Sequence, residues 1–311
     1  MILSGMPDLS IEPRNAAARA AFFSAWGQAN MAICGQVQSR RYGAYSAPLS
    51  IKMLHAGSGD YYLQHRNLRV DDDCYLVLNA QSYESSFHGE HGATILTLYF
   101  RPGLVEEVRD SRCAGWQDAL DAGGAVRNAD GSYRFAEHLR PHDEWLSPRL
   151  LHIRAQLLAG QRCEVWLEEQ MIELASILLD AERMAARWAG LIHAEKAATQ
   201  RELLKRARWA ADFIHTHYAD ALDLQDIASA ARLSKFHLTR LFKQTHGQTP
   251  HQFLLAKRGA VARRMLAQQT AAKLDEVAQA SGFGDRTTMF RQLRRQFGVS
   301  AAALRKLDVT A

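Results

Sequence analysis

The feature that most constrains the chain is a repeat near its C-terminus. The stretch "DIASAARLSKFHLTRLFKQTHGQTP" (226–250) overlays "EVAQASGFGDRTTMFRQLRRQFGVSA" (276–301). Ala228 matches Ala278 and Leu233 matches Phe283 at an offset of 50. One extra residue in the second copy moves the offset to 51, so that Ser234 meets Asp285, Leu238 meets Met289, Arg240 meets Arg291, Phe242 meets Leu293, Gly247 meets Gly298 and Thr249 meets Ser300. Each copy predicts a short helix beginning near Leu224 or Leu274, a tight turn, a second helix capped by Ser234 or Asp285, and a glycine stop. Ala228 and Ala278 are small where the two helices of a pair must approach closely.

Between the copies, "HQFLLAKRGAVARRMLAQQ" (251–269) predicts one helix with apolar Phe253, Leu254, Val261, Met265 and Leu266. At about 1.5 Å per residue it is roughly 27 Å long, comparable to the ~34 Å that separates successive major-groove segments of DNA. Thr249-Pro250 offers a cap followed by proline at the first helical position, and Ser300-Ala301 a cap followed by a good helix former. Gly259 interrupts the connecting helix at a cost of about 1 kcal/mol relative to alanine.

The second helix of each copy has a polar face. In "GFGDRTTMFRQLRRQFG" (282–298), Met289, Leu293 and Phe297 form one buried stripe and Arg286, Arg291, Arg294 and Arg295 lie off it. In the first copy Leu238, Leu241 and Phe242 turn inward, leaving Lys235, Phe236, Thr239, Arg240 and Lys243 on the other side. The equivalent positions of the second copy are Arg286, Thr287, Phe290, Arg291 and Arg294, with Phe290 partly in the core. Arginine binds guanine O6 and N7 in a bidentate way, and threonine or an aromatic edge packs on a thymine methyl. Phe236, Thr239, Arg240, Arg286, Thr287 and Arg291 are therefore assigned to base reading, and Lys243, Arg294 and Arg295 to phosphates, with Lys235 on the same face.

Charge supports a polyanionic partner. The net charge of +5 divides into +10 for residues 200–311 and −5 for residues 1–199. A basic module attached to an acidic one fits nucleic-acid binding, because phosphate neutralisation supplies most non-specific affinity.

The repeat, its spacing, "RLFKQTHGQTP", "SGFGDRTTMFRQLRRQFG" and the terminal Leu304-Arg305 resemble the DNA-binding domain of AraC/XylS-type transcription regulators. The likeness covers about the last 110 residues; it departs from the family pattern at Ala301, where proline is usual, and at Gly259. It implies double-stranded promoter DNA as partner, the aligned residues above as major-groove contacts, and activation through RNA polymerase.

Upstream, residues 44–101 read as strands. "SIKMLHAGSGDYYLQHRNLRV" has two extended runs around Ala56-Gly57-Ser58-Gly59, a hairpin signal, and "CYLVLNAQSYESSF" and "ATILTLYF" add further strands. Residues 146–195 switch to helical periodicity through Leu167, Met171, Leu174 and Leu178, with Glu168, Glu169 and Glu173 on other faces. The expected class is α+β: a cupin-like β-barrel effector domain at 1–145, a helical dimerisation segment at 146–198, and an all-α domain with two helix-turn-helix units at 199–311. A barrel followed by paired helices is similar to the effector-binding and dimerisation part of the same family, which implies a homodimer; the pattern of residues 146–195 fits intramolecular packing of these helices equally well.

A barrel interior of this size holds one small ligand. Tyr45, His55, Tyr62, His65 and Tyr83 are the polar and aromatic candidates to line it. His55, His65, His88 and His91 fall near strand ends, yet no H-x-H pair followed by a strand-borne glutamate appears, so no metal or other cofactor is expected. Cys34, Cys74, Cys113 and Cys163 contain no C-x-x-C pair and read as reduced core thiols. No segment reaches the ~18 uncharged apolar residues of a membrane span, and the expected location is cytoplasmic. The expected function is a non-enzymatic, sequence-specific transcription regulator, an activator responding to a small molecule in the barrel. The alternative is a metal-dependent cupin-type enzyme with a DNA-binding tail.

Overall fold

The computed structural model describes residues 1–6, 22, 26–89, 92–112, 126–127, 133–192, 196–268 and 273–298. The chain forms two compact units, Met1–Leu191 and Ile192–Ala311.

The first unit opens with strands β1 (Ile2–Leu3), β2 (Met31–Val37), β3 (Arg40–Ala47), β4 (Ser50–His55), β5 (Ser58–Leu63), β6 (Arg66–Val70), β7 (Cys74–Leu78), β8 (Gln81–His88) and β9 (Ala93–Tyr99). Helix α1 (Leu104–Arg112), the short strands β10 (Val126–Arg127), β11 (Tyr133–Arg134) and β12 (Leu139–Pro141), and helices α2 (Ser147–Leu158) and α3 (Glu164–Ala189) follow. One sheet runs in the order β1-β2-β9-β4-β7-β12 and a second in the order β3-β8-β5-β6. Ile33, Leu54, Leu76, Ile95 and Tyr99 of the first sheet meet Tyr42, Tyr61, Leu68, Tyr83 and Phe87 of the second in one barrel-like interior.

The period-two alternation of β4 serves two cores at once. Ile51 and Met53 join Leu150, Ile153, Leu157, Leu167, Met171, Leu174 and Leu178 of α2 and α3, so these helices share a core with the six-stranded sheet. Leu54 faces the other way, into the interior, and Ser50 and Lys52 share its side of the strand.

Two expectations change. Ala56-Gly57 does turn the chain between extended runs, but β4 and β5 belong to different sheets and do not pair, so the turn is a crossing and not a hairpin. Ala56 adopts φ 58°, and a Cβ on Gly57 would lie 2.4 Å from that of Ala93, which explains the small residues. Cys34 and Cys74 are buried, but Cys163 is exposed because it stands at the N-cap of α3, outside the core. Cys113 and His91 lie outside the described residues.

The second unit contains α4 (Ala197–His217), α5 (Leu224–Ala230), α6 (Lys235–His246), α7 (Pro250–Gln268), α8 (Leu274–Ala280) and α9 (Arg286–Phe297). Ala210, Ile214, Ile227, Ala228, Leu238, Phe242 and Leu254 make one small core. Ala262, Leu266, Val277, Ala278, Phe283, Met289 and Leu293 make another, so the connecting helix α7 supplies residues to both. Gly259 has a packing role there: a Cβ at this position would stand 2.2 Å from Gln296 Oε1 on α9. Among the described residues, no helix is long and apolar enough to cross a membrane.

Candidate nucleic-acid interface and barrel interior

The two turns of the repeat are built alike. Leu233 N donates to Ala228 O at 2.9 Å, and Phe283 N donates to Ala278 O at 2.9 Å. Arg232 (φ 54°) and Gly282 (φ 82°) take the left-handed conformation at matching places, and the extra residue of the second turn is accommodated at Gly284 (φ 74°). Ser234 Oγ then accepts from His237 N at 3.3 Å to cap α6, and Asp285 Oδ1 accepts from Thr288 N at 2.8 Å to cap α9. The backbone and side-chain bonds from Thr288, with the positive charge of Arg291, hold the Asp285 carboxyl below its ordinary range. Gly247 and Gly298, both at φ 71°, close the two helices. Thr249 Oγ1 and Gln252 Oε1 form a reciprocal capping pair at the start of α7, whereas Ser300, Ala301, Leu304 and Arg305 lie outside the described residues.

These caps fix which faces turn outward. Leu238, Leu241 and Phe242 are buried on α6, and Met289 and Leu293 on α9. Lys235, Phe236, Arg240 and Lys243 are exposed on α6, as are Arg286, Thr287, Arg291, Arg294 and Arg295 on α9; Thr239 and Phe290 are half-buried. Phe236 is 80% exposed, which leaves a large apolar ring in water among cations. The Thr239 hydroxyl donates to Lys235 O at 2.9 Å, so its methyl is the part left to meet a partner. Arg286 has one distant ion pair, 3.8 Å to Asp275. Lys235, Arg240, Lys243, Arg291, Arg294 and Arg295 form no ion pair among the described residues.

Beneath the first of these faces lies His246. Its ring stacks on Phe242 at 4.2 Å between centroids and stands edge-on to Phe253 at 5.8 Å. Burial, reinforced by repulsion from Arg208, lowers its pKa to about 4, so it is neutral at physiological pH.

In the barrel, the structure brings together only some of the residues singled out in the sequence. Tyr45 OH donates to Tyr83 OH at 3.4 Å, with ring centroids 5.0 Å apart. Tyr62 lies one residue from the inward Tyr61 and faces outward, its hydroxyl 3.2 Å from Ser86 Oγ. His55 is exposed and paired with Asp72 at 2.9 Å, His88 is paired with Asp60 at 3.0 Å, and His65 is exposed in the turn between β5 and β6. The sequence reading missed Lys52, Tyr61 and Tyr99. Lys52 Nζ lies 4.0 Å from the Tyr99 ring centroid, 5.4 Å from that of Tyr83 and 6.0 Å from that of Tyr61. Burial lowers the Lys52 pKa and raises those of Tyr61, Tyr83 and Tyr99. The available signal was the parity Ser50-Lys52-Leu54, obscured because Ile51 and Met53 are equally apolar on the other side of β4.

Residues 227–307 match the family model described as a helix-turn-helix domain. The chain is 32% identical over 89 residues to a probable transcriptional regulator, LumQ, of Photobacterium leiognathi, covering 29% of this chain and 36% of that protein. It is 27% identical over 96 residues to a lactose operon transcription activator of Staphylococcus xylosus, covering 31% and 34%. The chain thus spans about a third of the length of these curated relatives. Among solved structures it is similar to the DNA-binding domain of AdpA, a global transcriptional factor, in complex with a target DNA: 30% identity, TM-score 0.29, 34% of this chain and 90% of that one. The repeated caps, turns and cores, together with the matched segment, identify residues 227–307 of this chain as a helix-turn-helix domain.

Proposed function

We propose that the protein is a transcription regulator that reads promoter DNA with α6 and α9 and answers to a small molecule held in the barrel. The observation that carries this reading is the pair of equivalent helix faces on which arginines and lysines stand exposed and, Arg286 apart, form no ion pair with a carboxylate among the described residues. In water such a face is neutralised by mobile counter-ions, and their release on meeting phosphates drives binding. Arg240 and Arg291 occupy the same step of the two helices and read one base each, with Phe236, Thr239, Arg286 and Thr287 contacting neighbouring bases. Lys235, Lys243, Arg294 and Arg295 set register on the phosphates.

The mode of action we propose is activation through RNA polymerase, in keeping with the relative named as a lactose operon activator. A homodimer is supported by exposed apolar side chains at seven-residue spacing, Leu151 and Leu158 on α2 and Val165 and Ile172 on α3. The effector couples to DNA by favouring one arrangement of units or protomers over another. The test is selection of genomic fragments by the purified chain, followed by titration across salt. Two sequence blocks about one helical turn apart, bound in preference to random duplex, are expected; equal binding to all duplexes at moderate salt would remove the reading.

A further inference from the structure

An amine in the centre of a sheet normally has a carboxylate facing it. Lys52 is 1% exposed, and its Nζ makes no hydrogen bond or ion pair among the described residues. The groups around it are three phenols, Tyr61 from β5, Tyr83 from β8 and Tyr99 from β9, with Tyr45 of β3 bonded to Tyr83 and the buried Thr97 as cross-strand neighbour on β9. The acids of those strands have the opposite parity and are already used. Asp60 holds Arg69 and His88, and Glu84 holds Arg41. The neighbouring interior positions on β2, β6 and β7 are apolar: Ile33, Leu68, Leu76 and Leu78. Two hydroxyls of interior parity are buried beside it: Ser50 Oγ has no partner among the described residues, and Ser85 interacts with the Tyr45 phenol.

Among the described residues this interior has donors in excess and no negative charge. Aromatic faces attract a cation but carry no net charge to balance it, and a buried ammonium without a counter-ion is strongly disfavoured. We infer that the barrel takes a small organic acid whose carboxylate pairs with Lys52 and accepts from Ser50, Ser85 or the tyrosine hydroxyls. This rests on the effector reading above and gives that effector its chemical class. Burial lowers the pKa of the free amine, and pairing with a carboxylate favours its protonated form, so binding of the acid anion draws protons in with it. The ring of Trp26, 4.5 Å from Tyr99 and 6.2 Å from Tyr45, adjoins the phenol cluster and serves as reporter.

The experiment uses the full chain with benzoate and hexanoate, and with benzamide and hexanamide as their uncharged counterparts. Calorimetry in two buffers of different ionisation enthalpy reads affinity and proton uptake, and tryptophan fluorescence, with W26F as control, reads location. At least one acid is expected to bind with net proton uptake and to perturb Trp26, while its amide binds at least tenfold more weakly. K52M is expected to lose at least a hundredfold in affinity for the acid, and Y83F several-fold, while DNA binding measured without acid stays at the wild-type level. Failure of both acids to bind, equal binding of acid and amide, or unchanged affinity in K52M and Y83F would each overturn the inference. A chain that selects a DNA motif but binds neither acid loses this inference and keeps the regulator reading; one that binds an acid through Lys52 but selects no DNA does the reverse.

Discussion

In the first unit Arg41 meets Glu84, Arg69 meets Asp60, Arg112 meets Asp180, Arg140 meets Glu182, Arg149 meets Glu173, and Arg101 meets both Glu107 and Glu168. On α6 and α9 of the second unit, Arg240, Arg291, Arg294 and Arg295 have no such partner among the described residues. The same side chain therefore does two kinds of work in one chain. Paired with a carboxylate, it ties elements together and its field is largely cancelled; unpaired on an exposed helix, it keeps its charge for a partner from outside. Charge counting by unit sees the surplus, but only pairing shows where that surplus is left uncommitted.

Breaking the comparison on its structural side gives the largest expected effect. Arg140 reaches from β12 to Glu182 of α3 at 2.5 Å, with both side chains mostly buried. Arg140→Ala is expected to destabilise the first unit by about 3–5 kcal/mol, because Glu182 is left charged and unpaired. Chemical denaturation followed in the first unit, with DNA affinity measured in parallel below the transition, should show stability lost and specific binding retained.

The next effect concerns the core under the reading face. His246 titrates near 6.5 when unfolded and about 4 when folded, so protons bind the unfolded chain first as pH falls. Stability of the second unit is fully present above about pH 6.5 and declines until about pH 4, by on the order of 3 kcal/mol. Thermal melts across that range should show this slope, and His246→Phe should flatten it.

On the reading side, Arg240→Ala and Arg291→Ala are each expected to cost about 1–3 kcal/mol of specific binding and to relax the sequence preference at one position. Arg295→Ala is expected to weaken binding to every duplex alike and to lower the slope of log affinity against log salt by about one. Competition assays on specific and random DNA separate the two. Equal losses on both DNAs for all three variants would show that the face assignment is wrong.

The smallest effect tests a local rule against tertiary packing. Gly259→Ala gains up to about 1 kcal/mol of helix propensity. It also forces Gln296 off Ala256 O, a bond of 3.1 Å, which costs a similar amount. A net change within about 1 kcal/mol of zero in thermal denaturation is expected.

Much of the second unit was legible because its signals are local. Ser234, Asp285, Gly247 and Gly298 cap or stop helices through bonds spanning three or four residues, so spacing alone places them. The buried stripe of Leu238, Leu241 and Phe242 follows from helical periodicity, and the exposed face is what remains. Gly259 was misleading alone, because the reason for it stands on another helix, at Gln296.

The barrel was less legible. Tyr62 and Tyr61 are neighbours of the same type, and only the register of β5 against β6 and β8 decides that Tyr61 points inward. A slip of one residue would exchange them, since strand side chains alternate with period two. Lys52 gave no warning because Ile51 and Met53 are as deeply buried on one side of β4 as Lys52 and Leu54 are on the other.

The sequence by itself determined the double helix-turn-helix unit, its caps and its cationic faces, because those depend on interactions between near neighbours in the chain. Tertiary structure alone decided that α2 and α3 cover the six-stranded sheet, that Ala56-Gly57 crosses between sheets, and that one amine sits among tyrosines from three different strands. Those outcomes follow from contacts between residues dozens of positions apart, which local periodicity does not encode.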